Sequence, residues 1–142
     1  MKKVVINEAL CLNCRLCEVY CKTAHSISKN VITAYKREIP EPMSAIVVEG
    51  DNNLSMSISC RHCTDPKCVS ACITGAMVKL PDGRVMNDLE RCIGCMTCLA
   101  ACPFGAVRVG HYAIKCDLCQ GLESPQCVKN CPSGALSYIE VE

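Results

Sequence analysis

Cys92-Ile93-Gly94-Cys95-Met96-Thr97-Cys98-Leu99-Ala100-Ala101-Cys102-Pro103 is the stretch on which the architecture turns. Its pattern is C-x2-C-x2-C-x3-C followed by proline. The same spacing stands at Cys11, Cys14, Cys17 and Cys21. Two wider versions open and close alike. Cys60, Cys63, Cys68 and Cys72 place four residues before the third cysteine, and Cys116, Cys119, Cys127 and Cys131 place seven. All 16 cysteines of the 142 residues fall into these four quartets.

The repetition continues outside cysteine. Three quartets are followed by related tails: Ile73-Thr74-Gly75-Ala76-Met77, Pro103-Phe104-Gly105-Ala106-Val107 and Pro132-Ser133-Gly134-Ala135-Leu136. Each turns at its glycine into a short β-like stretch. Val5-Ile6-Asn7-Glu8 and Val85-Met86-Asn87-Asp88 form a second shared element, upstream of quartets one and three. Self-similarity of this kind marks duplicated supersecondary units. Strands are expected at Ala76–Leu80 and Arg84–Asn87 around Pro81-Asp82-Gly83, and at Ala106–Val109 and Tyr112–Lys115 around Gly110-His111. The segment 22–59 adds extended pieces at Val31–Lys36, Ala45–Glu49 and Leu54–Ser59, with short helices only at the C-x3-C ends. The fold class is α+β: two ferredoxin-like pseudo-repeats of short hairpins and short helices.

Composition limits what can fill the interior. One Phe, four Tyr and no Trp leave almost no large side chains for a core. Cysteine at this density has three explanations: a disulfide scaffold, zinc sites or metal–sulfur clusters. After Met1-Lys2-Lys3 the apolar run is only Val4-Val5-Ile6, too short for a signal peptide, and no twin-Arg pair precedes one. No apolar run is long enough to span a bilayer. The expected location is therefore the reducing cytoplasm, where stable disulfides do not persist. Zinc would need two C-x2-C pairs brought together, whereas the later cysteines of these quartets form no such knuckles. A C-x2-C-x2-C loop instead curls round one small cube and offers three thiolates to three irons. Four 4Fe–4S clusters, ligated by all sixteen cysteines, are the expected cofactors.

The wiring follows from spacing. Between Cys72 and Cys92 lie 19 residues, against 38 between Cys21 and Cys60. Quartets two and three form a central two-cluster module over 54–115; residues 1–53 and 116–142 form the outer one, within a single unit 1–142. The C-x3-C cysteine serves the neighbouring cluster. Cys60, Cys63 and Cys68 then share a cluster with Cys102, and Cys92, Cys95 and Cys98 with Cys72. Cys11, Cys14 and Cys17 take Cys131, while Cys116, Cys119 and Cys127 take Cys21. Sixteen thiolates and four oxidised cores turn the formal +1 into about −7. Arg15, Arg61, Lys67, Arg91, Lys115 and Lys129, beside the cysteines, read as local compensation. His62 is expected to pack or donate near a cluster sulfur, His25 and His111 to be loop residues, and the six Met to pack round the clusters. No phosphate loop, dinucleotide fingerprint or acid/base constellation is present, so no catalytic site is expected, nor nucleic-acid binding.

This arrangement resembles the four-cluster ferredoxin-like electron-transfer subunits of oxidoreductases, over Val4 to Ile139. That family includes subunits of dimethyl-sulfoxide-reductase-type molybdoenzymes, formate dehydrogenases and hydrogenases, and its ligation pattern is the nested one above. Cys11-Leu12-Asn13-Cys14-Arg15-Leu16-Cys17-Glu18-Val19-Tyr20-Cys21 with Ala24-His25-Ser26 looks most like the iron–sulfur partner of carbon monoxide dehydrogenase. Cys60-Arg61-His62-Cys63 and Gly75-Ala76-Met77 point the same way. The resemblance implies a relay in a hetero-oligomer. It takes electrons from carbon monoxide dehydrogenase and passes them to a hydrogenase or a flavin NAD(P) oxidoreductase. Its alternatives are a formate dehydrogenase, hydrogenase or aldehyde oxidoreductase subunit, or a free polyferredoxin. The C-terminal extension of many membrane-bound relatives is missing at Glu142, which argues against a quinone-linked membrane complex.

Overall fold

The computed structural model describes residues 1–141. Among these residues stand four two-stranded antiparallel ribbons, five short α-helices and a 3-10 turn at Glu8–Leu10, with much irregular backbone between them. The expected hairpins form, in shortened versions. β4 (Met77–Lys79) pairs with β5 (Val85–Asn87), and β6 (Arg108–Val109) with β7 (Ala113–Ile114). β2 (Val47–Gly50) and β3 (Ser55–Ile58) pair across the 51–54 turn, where Asp51 Oδ1 accepts from the Asn53 and Leu54 amides at 2.8 and 3.0 Å. This last hairpin straddles the boundary placed at residue 54. The remaining ribbon joins the chain ends: β1 (Lys2–Ile6) runs antiparallel to β8 (Leu136–Glu140), with Val4 opposite Tyr138.

Four helices lie where C-x3-C spacing calls for a helical turn. They are α1 (Leu16–Ala24), α3 (Lys67–Ser70), α4 (Thr97–Ala101) and α5 (Gln126–Lys129). The fifth, α2 (Val31–Lys36), corrects the sequence reading, which made this segment extended and confined helices to the cysteine ends. Its β-branched start favours a strand. Two local features override that preference. Asn30 caps the first turn by accepting from the Thr33 amide at 3.1 Å, and Ala34, fully buried, seats the helix against the protein. The loop beyond it carries a cis Ile39–Pro40 peptide.

Apolar burial is divided between two small cores. One gathers Met77, Val85, Cys98, Val107 and Ala113, all within 54–115. The other gathers Cys17, Cys21, Ala45, Ile46, Val48, Cys127 and Leu136, drawn from both chain ends. Glu18 ties α1 to β2 by accepting from the Val48 amide at 2.6 Å. Neither core holds an aromatic residue, and cysteine sulfur is part of both. Met77 and Met96 pack beside cysteines in the first core, as expected of methionines near the clusters.

Candidate metal centres

The four C-x2-C loops share one backbone device. The residue before the second cysteine is left-handed in every case: Asn13 (φ 54°), His62 (φ 45°), Gly94 (φ 71°) and Leu118 (φ 60°). Such a residue turns its amide into the concavity of the loop, the geometry of an anion-binding nest. The His62 and Leu118 amides accordingly donate to the sulfurs of Cys60 and Cys116, each at 3.4 Å. Further amides reach the closing cysteines: Ala45 to Cys21 at 3.3 Å, Met77 to Cys72 at 3.4 Å and Ala106 to Cys102 at 3.5 Å. Donors aimed at sulfur stabilise thiolates and set the properties of whatever they ligate.

The sulfurs meet across quartets. Cys11, Cys14 and Cys17 line one small cavity together with Cys131. Cys72 lies near enough to Cys92 and Cys98 to repel charge on both. Cys68 has Cys60 and Cys102 as its charged sulfur neighbours. Cys21 joins Cys116, Cys119 and Cys127. Cys63 and Cys95 stand in the same loops as their quartet partners. Among the described residues, no three cysteine sulfurs lie within 4.8 Å of one another. Around a single zinc ion, bonds of about 2.3 Å would bring four sulfurs to roughly 3.8 Å apart. The observed spacing is too wide for one tetrahedral ion held by cysteine alone, and four thiolates are the donor set of a 4Fe–4S cluster. All sixteen cysteines are free thiols rather than disulfides.

Crowding leaves its mark on these thiols. Burial, with lesser repulsion from neighbouring sulfurs and, at Cys17, from Glu18, pushes Cys17 and Cys127 up to about 12, and burial raises Cys116 as well. Such sulfurs keep their protons at neutral pH unless a cation replaces them. Cys21 differs: burial works to raise it, but the His25 ring, Ser44 and the Ala45 amide outweigh burial and hold it low.

His25 lies at the exposed C-terminal end of α1, a loop position as expected, yet its ring is engaged. Nε2 meets Asp117 Oδ1 at 2.9 Å and Nδ1 lies 2.8 Å from the Cys21 carbonyl. These bonds to Asp117 and Cys21 raise its pKa to about 11. An α1 residue is thereby tied to the loop of quartet four. No sequence signal announces this tie, since the partners are 92 positions apart. His62 packs as anticipated, 1% exposed. Its ring bonds no sulfur: Nδ1 accepts from the Val85 amide at 3.0 Å. Burial, followed by the charge of Lys115, lowers it to about 4 and keeps it neutral. His111 sits in an exposed turn, edge-on to Tyr112.

Of the six cations read as compensating charge, Lys115 reaches a sulfur directly, 2.9 Å from Cys60 Sγ. Arg15 pairs with Glu18, Lys67 with Asp65, and Arg91 donates to the Thr74 carbonyl. Arg61 stacks over the Phe104 ring at 4.2 Å, and Lys129 closes α5.

Loops of this shape, with cysteine sulfurs gathered across quartets and amides directed at them, define an iron–sulfur protein. Residues 52–141 match the family of 4Fe-4S dicluster domains, and the chain belongs to it. Its relatives span the whole chain. YsaA of Escherichia coli K12, a putative electron transport protein, is 36% identical over 149 residues, covering 100% of this chain and 92% of its own length. The "Iron-sulfur protein" of Rhodospirillum rubrum is 34% identical, covering 98% and 82%. The B subunit of the anaerobic dimethyl sulfoxide reductase of E. coli K12 is 35% identical, covering 96% and 72%. Against AegA of the same bacterium the chain matches only 21% of the relative's length. Among solved structures, the BamBC active-site complex of benzoyl coenzyme A reductase contains a similar chain, at 28% identity with a TM-score of 0.52. That likeness covers 100% of this chain and 81% of the other. Among the described residues, no helix is long and apolar enough to cross a membrane.

Proposed function

We propose that this chain is the electron-transfer subunit of an oxidoreductase complex, a wire of four 4Fe–4S clusters with no catalytic site of its own. The observation that carries this reading is the gathering of each C-x3-C cysteine with another quartet's sulfurs, in the nested order expected from spacing. On that order, Cys92, Cys95, Cys98 and Cys72 hold one terminal cluster, and Cys11, Cys14, Cys17 and Cys131 the other. Between them lie the cluster of Cys60, Cys63, Cys68 and Cys102 and that of Cys116, Cys119, Cys127 and Cys21. Clusters bound to cysteines four apart on one helix are offset by a rise of about 6 Å plus side-chain reach, close enough for rapid hopping. The two separate cores support a central module over 54–115 and an outer one from 1–53 and 116–142. The repeated left-handed loop residue supports their origin as pseudo-repeats.

Exposure supports a wire with two ends. Of the sixteen cysteines, Cys14 and Cys95 alone are exposed, one in each terminal set. Each has a bare aliphatic side chain two residues before it: Leu12 is 67% exposed and Ile93 65%. Apolar surface beside an exposed ligand suits docking of a protein redox partner. By motif resemblance the donor is carbon monoxide dehydrogenase and the acceptor a hydrogenase or flavin NAD(P) oxidoreductase, in the cytoplasm. The similarity to the dimethyl sulfoxide reductase subunit favours a second reading, a molybdoenzyme as the catalytic partner. Anaerobic purification from the native host decides between them by the subunit that co-elutes; elution of this chain alone would overturn the subunit reading. Ligation is tested separately. Cys131→Ser is expected to disturb the cluster at Cys11, Cys14 and Cys17, seen by EPR and by iron content, and to spare that of its own quartet. Damage confined to the Cys116 set would refute the nested order.

A further inference from the structure

Lys115 follows β7 and precedes Cys116, the first cysteine of its quartet. Only 9% exposed, it is the one lysine among the buried residues. Its Nζ donates to Cys60 Sγ at 2.9 Å and to the Val85 carbonyl at 2.6 Å. No carboxylate lies within ion-pair distance of it among the described residues. A buried ammonium without a counter-charge is costly, and such groups persist where something negative faces them. The ring beside it, His62, is neutral and offers no negative charge. What faces the ammonium is sulfur: Cys60 in contact, with Cys68 also in its field. Cys60 in turn lies near Cys116, so Lys115 stands where the central and outer sets adjoin.

We propose that Lys115 is the counter-ion of the cluster held by Cys60, Cys63, Cys68 and Cys102, and raises its reduction potential at the junction of the two halves. The inference rests on the four-cluster reading above. Reduction adds one negative charge to the cluster. A fixed ammonium in a low-dielectric site stabilises that added charge more than the oxidised form. The effect falls with distance, so it is largest at the cluster whose sulfur Lys115 touches. Lys115 acts through Cys60 and is a positioning residue rather than a ligand.

The test uses the full chain, loaded and handled anaerobically, with iron counted before any titration. An iron content near sixteen per chain upholds the four-cluster reading independently of Lys115, and a zinc-loaded colourless protein would sink that reading instead. In Lys115→Met, a potentiometric titration followed by EPR should show one couple moved clearly farther to negative potential than the other three. In Lys115→Arg, which keeps the charge, that couple should stay close to its wild-type position. No movement in the Met variant, or equal movement of all four couples, would overturn the proposal. If the Met variant does not load, the Arg variant decides: an unmoved couple supports a role for charge, and a couple that falls refutes it. Failure of both to hold iron would make Lys115 a packing residue and end the proposal.

Discussion

Single residues settle the shape of each cysteine loop. Asn13, His62 and Leu118 all adopt the left-handed conformation found at Gly94, so glycine is not required there by backbone angle alone. What sets Gly94 apart is its neighbour. A Cβ at this position would stand 2.5 Å from the His111 carbonyl oxygen, and backbone cannot yield as a flexible side chain can. Gly94→Ala is therefore expected to destabilise the loaded protein by about 1–3 kcal/mol, through a clash added to left-handed strain. Thermal unfolding should show a lower midpoint, with iron lost first from the terminal set containing Cys95. An equivalent Asn13→Ala, at a position that already carries a side chain, serves as the comparison and should cost less. The cysteine spacing alone announced the loops; the His111 carbonyl, reached through a separate hairpin, did not appear in it.

Among the elements, hairpins with clear turn signals were legible and α2 was not. Pro81-Asp82-Gly83 and Gly110-His111 mark reversals through residue types that suit tight turns. Val31-Ile32-Thr33 reads as a strand because β-branched side chains lose rotamers in a helix, and no partner strand for it is visible in sequence. The helix depends on the Asn30 cap and on burial of Ala34. Asn30→Ala should remove about 1 kcal/mol from this one helix. The amides of Ala34 and Arg37, which bond to the Asn30 and Thr33 carbonyls at 2.8 and 2.9 Å, should then exchange about fivefold faster with deuterium. Amides in β4 and β5 should keep their rates. Unchanged exchange at Ala34 would mean that packing alone holds α2.

At the scale of the whole molecule, the interior is sulfur-rich and poor in large side chains. The largest fully buried side chains are His62, Val48, Val85 and Pro125. A core of this size supplies little hydrophobic stabilisation for a chain of 142 residues. Cluster binding is then expected to supply most of the folding free energy. Stripping iron anaerobically with a chelator should abolish most far-UV circular dichroism signal in one cooperative step, and reconstitution with iron and sulfide should restore it. A stripped chain that kept its native spectrum would show that the two small cores suffice.

Cysteine spacing limits the class of chemistry open to this protein. The candidate ligands, the curl of each loop and the short helix behind it are written within about fifteen residues of one another, and local spacing decides them. The proposed nested order comes from the same spacing, because a C-x3-C cysteine lies a helical turn beyond its own loop. Which groups from distant positions meet depends on packing. His25 reaches Asp117, 92 residues on, and Lys115 reaches Cys60, 55 residues back. These contacts rest on how the ribbons and chain ends pack, and no periodicity records them. That is why the sequence could mark six cations beside cysteines as equivalent, while packing buries one of them against a sulfur and directs the others elsewhere.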